Sequence, residues 1–109
     1  MTDLAMRGPL GIKSQKAKKD PAYLARVRAE RCCICDAYGE VQVTPTEAHH
    51  PICGRHSQRK RPDGTAIPLC HDHHLGWKGI HPRRAWWVET YGEDTDWIAP
   101  TQDKLRYGQ

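Results

Sequence analysis

The sequence predicts a small α+β domain that is held together by a bound metal ion. Three observations support this: two pairs of metal-ligand residues, a short alternating apolar segment between them, and helical patterns on either side. The chain has 109 residues, no Phe and a hydrophobic fraction of 38%. Because a chain of this size and composition buries little apolar surface, a structural metal would supply stability that the core lacks.

The two ligand pairs are Cys32-x-x-Cys35 and Cys70-x-x-His73. The first pair occupies a tight turn, where both thiolates can reach one ion. The second pair stands at positions i and i+3, on one face of a helix start. Three thiolates and one imidazole form a complete tetrahedral set, which is typical of structural zinc. We therefore predict a Zn²⁺ site whose binding energy contributes to folding.

Cys33 and Cys53 remain outside this set. Cys33 is predicted to be a small buried or half-buried thiol rather than a ligand. Cys53-x-x-His56 has ligand spacing and could begin a second zinc site, with His71 or His81 as further ligands, although one pair alone is a weak motif. The odd total of five cysteines disfavours a complete disulfide framework and predicts a reducing, cytoplasmic environment. The sequence contains neither a signal-peptide pattern nor an apolar segment long enough to span a membrane.

The predicted organisation is a flexible basic arm over residues 1–19, followed by a single domain over residues 20–109. Asp20 as a cap and Pro21 at the first helical position predict a helix that extends to about Glu30. Residues 32–53 are predicted to form a turn and two strands, in which Val41 and Val43 alternate with polar residues.

A second set of elements is predicted in the C-terminal half. A helix begins near Cys70 and carries the histidines, and residues 76–82 interrupt it. A further helix covers residues 83–91 and ends at Gly92. Beyond it, Trp97 and Ile98 are predicted to pack back onto the body of the domain.

The charge predicts an anionic partner, most commonly a nucleic acid. The formal net charge is +4, and the isoelectric point is about 8.9. Six cations of the central loop and the arm are predicted to contact phosphates. They are Arg55, Arg59, Lys60, Arg61, Lys18 and Lys19. The alternative is a solvated loop and an arm without a role. The tryptophans could stack on bases, although Trp86 and one or two others are predicted to be core residues.

The order of these motifs resembles the HNH, or His-Me finger, endonuclease family. The resemblance covers residues 32–81 and rests on the CxxC turn and on two further segments. These segments are Ala48-His49-His50-Pro51-Ile52 and Pro68-Leu69-Cys70-His71-Asp72-His73-His74. In its details the chain is similar to the phage-encoded recombination-enhancement nucleases related to Ref. The resemblance implies a ββα-metal fold for the zinc-containing domain, with flanking helices.

The resemblance also implies roles for three histidines. His49 and His74 would bind a catalytic Mg²⁺ or Mn²⁺ ion, and His50 would be the general base. These roles suit phosphodiester cleavage, which needs an activated water and a stabilised leaving oxygen. His81 is a candidate third ligand if Gly76 and Gly79 allow the chain to curl back. Glu47, one strand period before His49, could orient it, or could simply be solvated.

The implied function is that of a metal-dependent DNA endonuclease or nickase linked to phage recombination, in the cytoplasm of a bacterial host. Its implied partners are DNA and a RecA-type recombinase filament, with no membrane. Thr65 departs from the family, because many members carry Asn at that position, although Asp63 is nearby. This departure favours an alternative function, a zinc-stabilised nucleic-acid-binding module without catalysis. A zinc-stabilised protein-interaction domain that docks on the filament is a third hypothesis, compatible with the first.

Overall fold

The computed structural model describes residues 18–55 and 60–107, which form a small α+β domain. The helices and strands are α1 (Pro21–Arg28), α2 (Cys33–Tyr38), β1 (Thr46–His49), β2 (Ile67–Cys70), α3 (His71–His74), α4 (Arg84–Tyr91) and α5 (Ile98–Tyr107). Two 3-10 turns, Asp63–Thr65 and Asp94–Trp97, precede β2 and α5 respectively. Within the described ranges, every helix is too short or too polar to cross a lipid bilayer.

Helix α1 begins where the sequence predicts. The Asp20 carboxylate accepts a hydrogen bond from the Tyr23 amide at 3.1 Å, and Pro21 occupies the first turn. The helix ends at Arg28, two residues before the predicted end. Its buried Val27 packs against Ala66 and Leu105, so α1 lies between the turn that precedes β2 and helix α5.

The prediction of a strand around Val41 and Val43 is wrong, because the structure shows no strand there. These side chains are 82% and 74% exposed, and the segment is not part of the sheet. Gln42 explains this arrangement. Its Oε1 atom accepts a hydrogen bond from the Cys32 amide at 2.7 Å, and its Nε2 atom donates to the Thr44 carbonyl at 2.9 Å. The segment is therefore anchored by its polar residue, and the valines face solvent.

The sheet has two antiparallel strands, β1 and β2. Only β1 lies in the region where two strands were predicted, and its partner follows the basic loop. His49 pairs with Ile67, and Thr46 pairs with Cys70. Because β2 leads directly into α3, this pairing carries the histidines of β1 to those of α3.

The larger core cluster surrounds Trp87, which is completely buried. Helix α4 agrees with the predicted helix to within one residue and ends at Tyr91, with Gly92, which has a φ of 89°, as its C-cap. Trp97 and Ile98 pack against this cluster, as predicted. Helix α5 was not predicted. It is held in place by the Arg26 guanidinium, which donates to the Leu105 carbonyl, and by Gln102, which donates to the Gly64 carbonyl at 2.7 Å.

Candidate metal centres and catalytic cleft

The two predicted ligand pairs meet in one buried cluster. Cys32 caps the N-terminus of α2 and Cys35 lies in its first turn, whereas Cys70 ends β2 and His73 lies on α3. The Nδ1 atom of His73 is 3.2 Å from the Cys70 sulfur, 3.6 Å from the Cys32 sulfur and 3.7 Å from the Cys35 sulfur. The Cys35 and Cys70 sulfurs are 3.9 Å apart. This buried Cys3His cluster could hold a metal ion such as zinc.

The distances between the ligand atoms fit a tetrahedral zinc ion. With metal–sulfur bonds of about 2.3 Å and a metal–nitrogen bond of about 2.0 Å, tetrahedral geometry separates two sulfurs by about 3.8 Å and a sulfur from the nitrogen by about 3.5 Å. Burial also raises the pKa of the Cys32 and Cys35 thiols, so thiolates at this site would require a cation for compensation. The other ring nitrogen of His73, Nε2, lies 3.4 Å from the Glu40 carboxylate. This electrostatic contact would help to orient the ring toward the sulfurs.

The two remaining cysteines lie outside this cluster. Cys33 is half-buried and packs against the core. Cys53 is 3% exposed and belongs to the core cluster itself. His56, its partner in the predicted second zinc pair, lies outside the described residues. The two further ligands suggested for that pair make other contacts, since His71 contacts Glu47 and His81 lies in a histidine cluster.

Three histidines form a second cluster of potential ligands. His49, His74 and His81 each offer a ring nitrogen, and these three nitrogens lie within 4.8 Å of one another. The ring centroids are 5.0 to 5.3 Å apart. His49 is buried, His74 is half-buried and His81 is exposed. Such a set of three imidazoles can hold a divalent cation and leave coordination positions open toward solvent.

After α3 the chain curls back, so that His81 lies beside α3. Gly76 and Gly79 were expected to allow this reversal. The Ile80 amide donates to the His73 carbonyl at 3.1 Å, and the His81 amide donates to the His74 carbonyl at 3.3 Å. A Cβ atom at Gly79 would lie 2.5 Å from the His74 carbonyl oxygen, so a larger residue would force this turn apart. The small size of Gly79 therefore permits the turn that places His81 next to His74, seven residues earlier in the sequence.

Two histidines of this cluster, His49 and His74, are each hydrogen-bonded to a carboxylate. Asp94, in the 3-10 turn after α4, accepts a hydrogen bond from Nε2 of His49 at 2.8 Å. Glu47 accepts hydrogen bonds from Nδ1 of His74 at 2.7 Å and from Nδ1 of His71 at 3.0 Å. The suggestion that Glu47 orients His49 is therefore wrong. Glu47 reaches across to α3 instead, and sequence reasoning missed Asp94 altogether.

His50 lies beside this cluster and is not part of it. It lines the same cleft of about 370 Å³ as His49, His74 and His81. Its Nε2 atom donates to the Asp63 carboxylate at 2.8 Å. Thr65 is the residue at which the sequence departs from the HNH resemblance. Its hydroxyl donates to the Pro62 carbonyl at 2.7 Å and closes the 3-10 turn that presents Asp63.

Burial lowers the pKa of His49, His74 and His81, so all three are neutral near pH 7 and able to bind a metal. Burial alone would raise the pKa of Asp94. Hydrogen bonds from His49 and from the Ile52 and Cys53 amides outweigh burial and lower that pKa to about 2. The buried pair is therefore a carboxylate and a neutral imidazole at neutral pH.

These shifts predict that the domain loses stability in mild acid. The three histidines are protonated in the unfolded chain below about pH 6.5 but resist protonation in the folded state. Their stabilising contribution is thus complete above that pH and is lost as the pH falls. We expect the free energy of unfolding to be lower at pH 5.5 than at pH 7.5. Denaturant melts, with the zinc content checked at both pH values, would measure the change. Equal values would contradict it.

The predicted phosphate contacts are distributed unevenly around the cleft. Arg55 and Lys60 line it, and Lys60 is exposed. The guanidinium of Arg61 donates to the Cys53 carbonyl at 2.7 Å, so part of its donor capacity is used inside the chain. Lys18 and Lys19 are exposed, and the Lys18 carbonyl accepts the Asp63 amide at 3.0 Å. Arg59 and residues 1–17 of the predicted arm lie outside the described residues.

One comparison with known proteins gave a match. A family model described as "Protein of unknown function (DUF968)" matches residues 6–106. No curated protein and no solved structure matches the chain. The matched segment includes both ligand clusters, His50 with its Asp63 partner, and the turn that carries Asp94. Because the match covers almost the whole sequence, the chain belongs to the DUF968 family.

Proposed function

We propose that this protein is a metal-dependent DNA endonuclease or nickase of the HNH type. The observation that carries the proposal is the shared cleft, in which His50 lies beside the cluster of His49, His74 and His81. A divalent cation such as Mg²⁺ or Mn²⁺, held by that cluster, would stabilise charge on the scissile phosphate and the leaving oxygen. Strands β1 and β2 and helix α3 would be the ββα-metal unit, with the Cys3His cluster as its structural zinc site.

His50 has the environment that a general base needs. An ionised carboxylate only accepts hydrogen bonds, so Asp63 holds the proton on Nε2 of His50 and leaves a lone pair on Nδ1. A neutral imidazole in this tautomer can take a proton from an attacking water. Asp63 is fixed in turn, since its other carboxylate oxygen accepts the Asp20 amide at 2.8 Å. The catalytic assignment therefore includes Asp63 as the residue that orients His50.

The surroundings of the cleft favour a polyanionic substrate. Arg55 and Lys60 line the cleft, and the segment of Lys18 and Lys19 lies beside the turn of Asp63, whose amide donates to the Lys18 carbonyl. In the segment that joins His74 to His81, Trp77 is 68% exposed, and the Arg83 guanidinium lies 5.9 Å from its ring centroid. Cations would contact phosphates, and an exposed indole offers a stacking surface for bases.

A cleavage assay tests the proposal. The zinc-loaded protein would be incubated with duplex, single-stranded and displaced-loop DNA, with Mg²⁺, Mn²⁺ or neither. A RecA-type filament, the partner that the family resemblance suggests, would be included in parallel. We expect cleavage only with the added divalent ion. If no DNA form is cut under any of these conditions, the endonuclease proposal fails.

A zinc-stabilised nucleic-acid-binding module without catalysis is the second candidate. Thr65 favours it, because many HNH members carry at this position an Asn that braces the loop, whereas the Thr65 hydroxyl bonds only to the Pro62 carbonyl. The two candidates differ in one measurement. Both predict DNA binding that weakens with salt, whereas only the endonuclease predicts metal-dependent strand breaks.

Two cations of the cleft should contribute to DNA affinity in either case. For Lys60→Ala and Arg55→Ala, we expect the slope of log Kd against log salt concentration to decrease by about 1 per lost phosphate contact. Fluorescence anisotropy over a salt series would measure this. Lys104→Ala is the matched control, because Lys104 lies on α5, is 51% exposed and pairs with Glu30. An equal effect in the control would contradict the assignment.

A further inference from the structure

Among the described residues around the cleft, Asp94 is a carboxylate that is completely buried. It is separated from His49 by 45 residues, yet one of its oxygens accepts both Nε2 of His49 at 2.8 Å and the Ile52 amide at 2.7 Å. The other oxygen accepts the Cys53 amide at 3.1 Å. Burying a carboxylate is costly unless it is fully hydrogen-bonded, and these three donors satisfy it.

The contact fixes the position of a proton. A carboxylate accepts hydrogen bonds and donates none, so Nε2 of His49 carries the hydrogen. In a neutral ring the lone pair is then on Nδ1, which is the only nitrogen left for a metal. The same reasoning applied to Glu47 and His74 gives the opposite result. There Nδ1 is bonded to the carboxylate, and Nε2 is free.

We propose that Asp94 is a positioning residue that holds His49 in the Nε2–H tautomer, so that Nδ1 of His49 and Nε2 of His74 are the ligand atoms for a divalent cation. This inference rests on the proposed function, because it assigns ligand atoms to the same metal site. Asp94 also connects the site to the segment after α4, which follows both ligand pairs in the sequence. The 3-10 turn Asp94–Trp97 thereby contributes to the site through its hydrogen bond to His49, as well as packing against the core.

The 3-10 turn that carries Asp94 is held in place by contacts that do not involve His49. The Glu93 and Asp96 side chains form reciprocal hydrogen bonds with the backbone of the turn, which holds it independently of His49. Trp97 packs into the core cluster and anchors its end. The turn thus has its own supports, and the hydrogen bond from His49 to Asp94 is available to act on the ring.

Two measurements test the inference. The first is the ¹⁵N spectrum of the wild-type histidines in the zinc-loaded protein near pH 7.5, without added Mn²⁺. We expect His49 to show a protonated Nε2 and an unprotonated Nδ1. The opposite pattern would overturn the inference, and this measurement does not depend on how well any variant folds.

The second measurement is Mn²⁺ affinity, determined by calorimetry for the wild type, Asp94→Asn and Asp103→Asn. An amide cannot accept hydrogen bonds from all three donors, so we expect Asp94→Asn to raise the Kd for Mn²⁺ by about 10- to 100-fold while zinc remains bound. Asp103 is exposed on α5, and its variant should bind like the wild type.

The outcomes separate the inference from the proposed function. Wild-type protein that binds no Mn²⁺ would contradict the proposed metal site and with it the role of Asp94. Normal Mn²⁺ binding by the wild type and an unchanged Kd in Asp94→Asn would overturn only the role of Asp94.

Discussion

A strong chelator is expected to unfold the domain by removing zinc from the Cys3His cluster. Structural zinc contributes about 10 to 16 kcal/mol of apparent binding free energy in small metal-dependent domains. Proteins of this size are stable by only about 5 to 15 kcal/mol in total. The cluster joins α2 to the β2–α3 junction, so its loss would separate the two halves of the larger core. Circular dichroism and the melting temperature, measured with and without chelator, would record the transition.

A pair of neighbouring cysteines gives a matched control for this prediction. Cys35→Ser removes a thiolate of the cluster and should yield a zinc-free, largely unfolded chain. Cys33→Ser changes the same functional group two residues earlier, outside the cluster, and should retain zinc with a small loss of stability. A chelator-treated wild type that keeps its spectrum and melting temperature would show that no metal supports the fold.

For His50→Ala, we expect kcat for DNA cleavage to fall by about 10²- to 10⁴-fold, the usual contribution of a general base. The melting temperature and the Kd values for DNA and Mn²⁺ should remain near those of the wild type. The reason is that His50 is outside the metal cluster and donates only to the half-buried Asp63. Single-turnover cleavage would measure the rate.

Added imidazole should restore part of the activity of His50→Ala, because the cavity left by the side chain can admit a free base. A purely structural role for His50 would not produce such rescue. Glu89→Ala, an exposed change on α4, is the control for activity. If the His50 variant cuts DNA at the wild-type rate, His50 is not the base.

The ligand residues were accessible to sequence reasoning because their spacing is a local property. Residues at i and i+3 near a helix start can reach the same side, and Cys70, the N-cap of α3, does meet His73 in this way. Consecutive helical residues diverge by about 100°, so His73 and His74 had to face different sites. The glycines before His81 supplied the remaining signal, because two closely spaced glycines permit a sharp reversal of the chain.

The strands were harder to predict because alternation does not identify the buried face. Val41 and Val43 alternate correctly, but Gln42 between them forms the hydrogen bonds that hold the segment. Strand β2 contains Pro68, a residue that usually argues against a strand interior. It is tolerated because each strand of a two-stranded sheet has a free edge.

Asp94 could not be found from the sequence because nothing local distinguishes it from Asp96 two residues later. Its role depends on the packing of the turn after α4 against the loop after β1, which brings together residues more than 40 positions apart. Helix α5 was also missed. Pro100 lies in its first turn, where proline is acceptable.

Helix α3 has only four residues, and it serves both ligand clusters through His73 and His74. So short a segment has no spare turn in which an inserted or deleted residue could be absorbed. One added residue between β2 and His73 would rotate both rings by about 100° and disrupt both clusters together. Substitutions here would damage one centre at a time, but the length of the segment itself should be invariant wherever this arrangement is inherited.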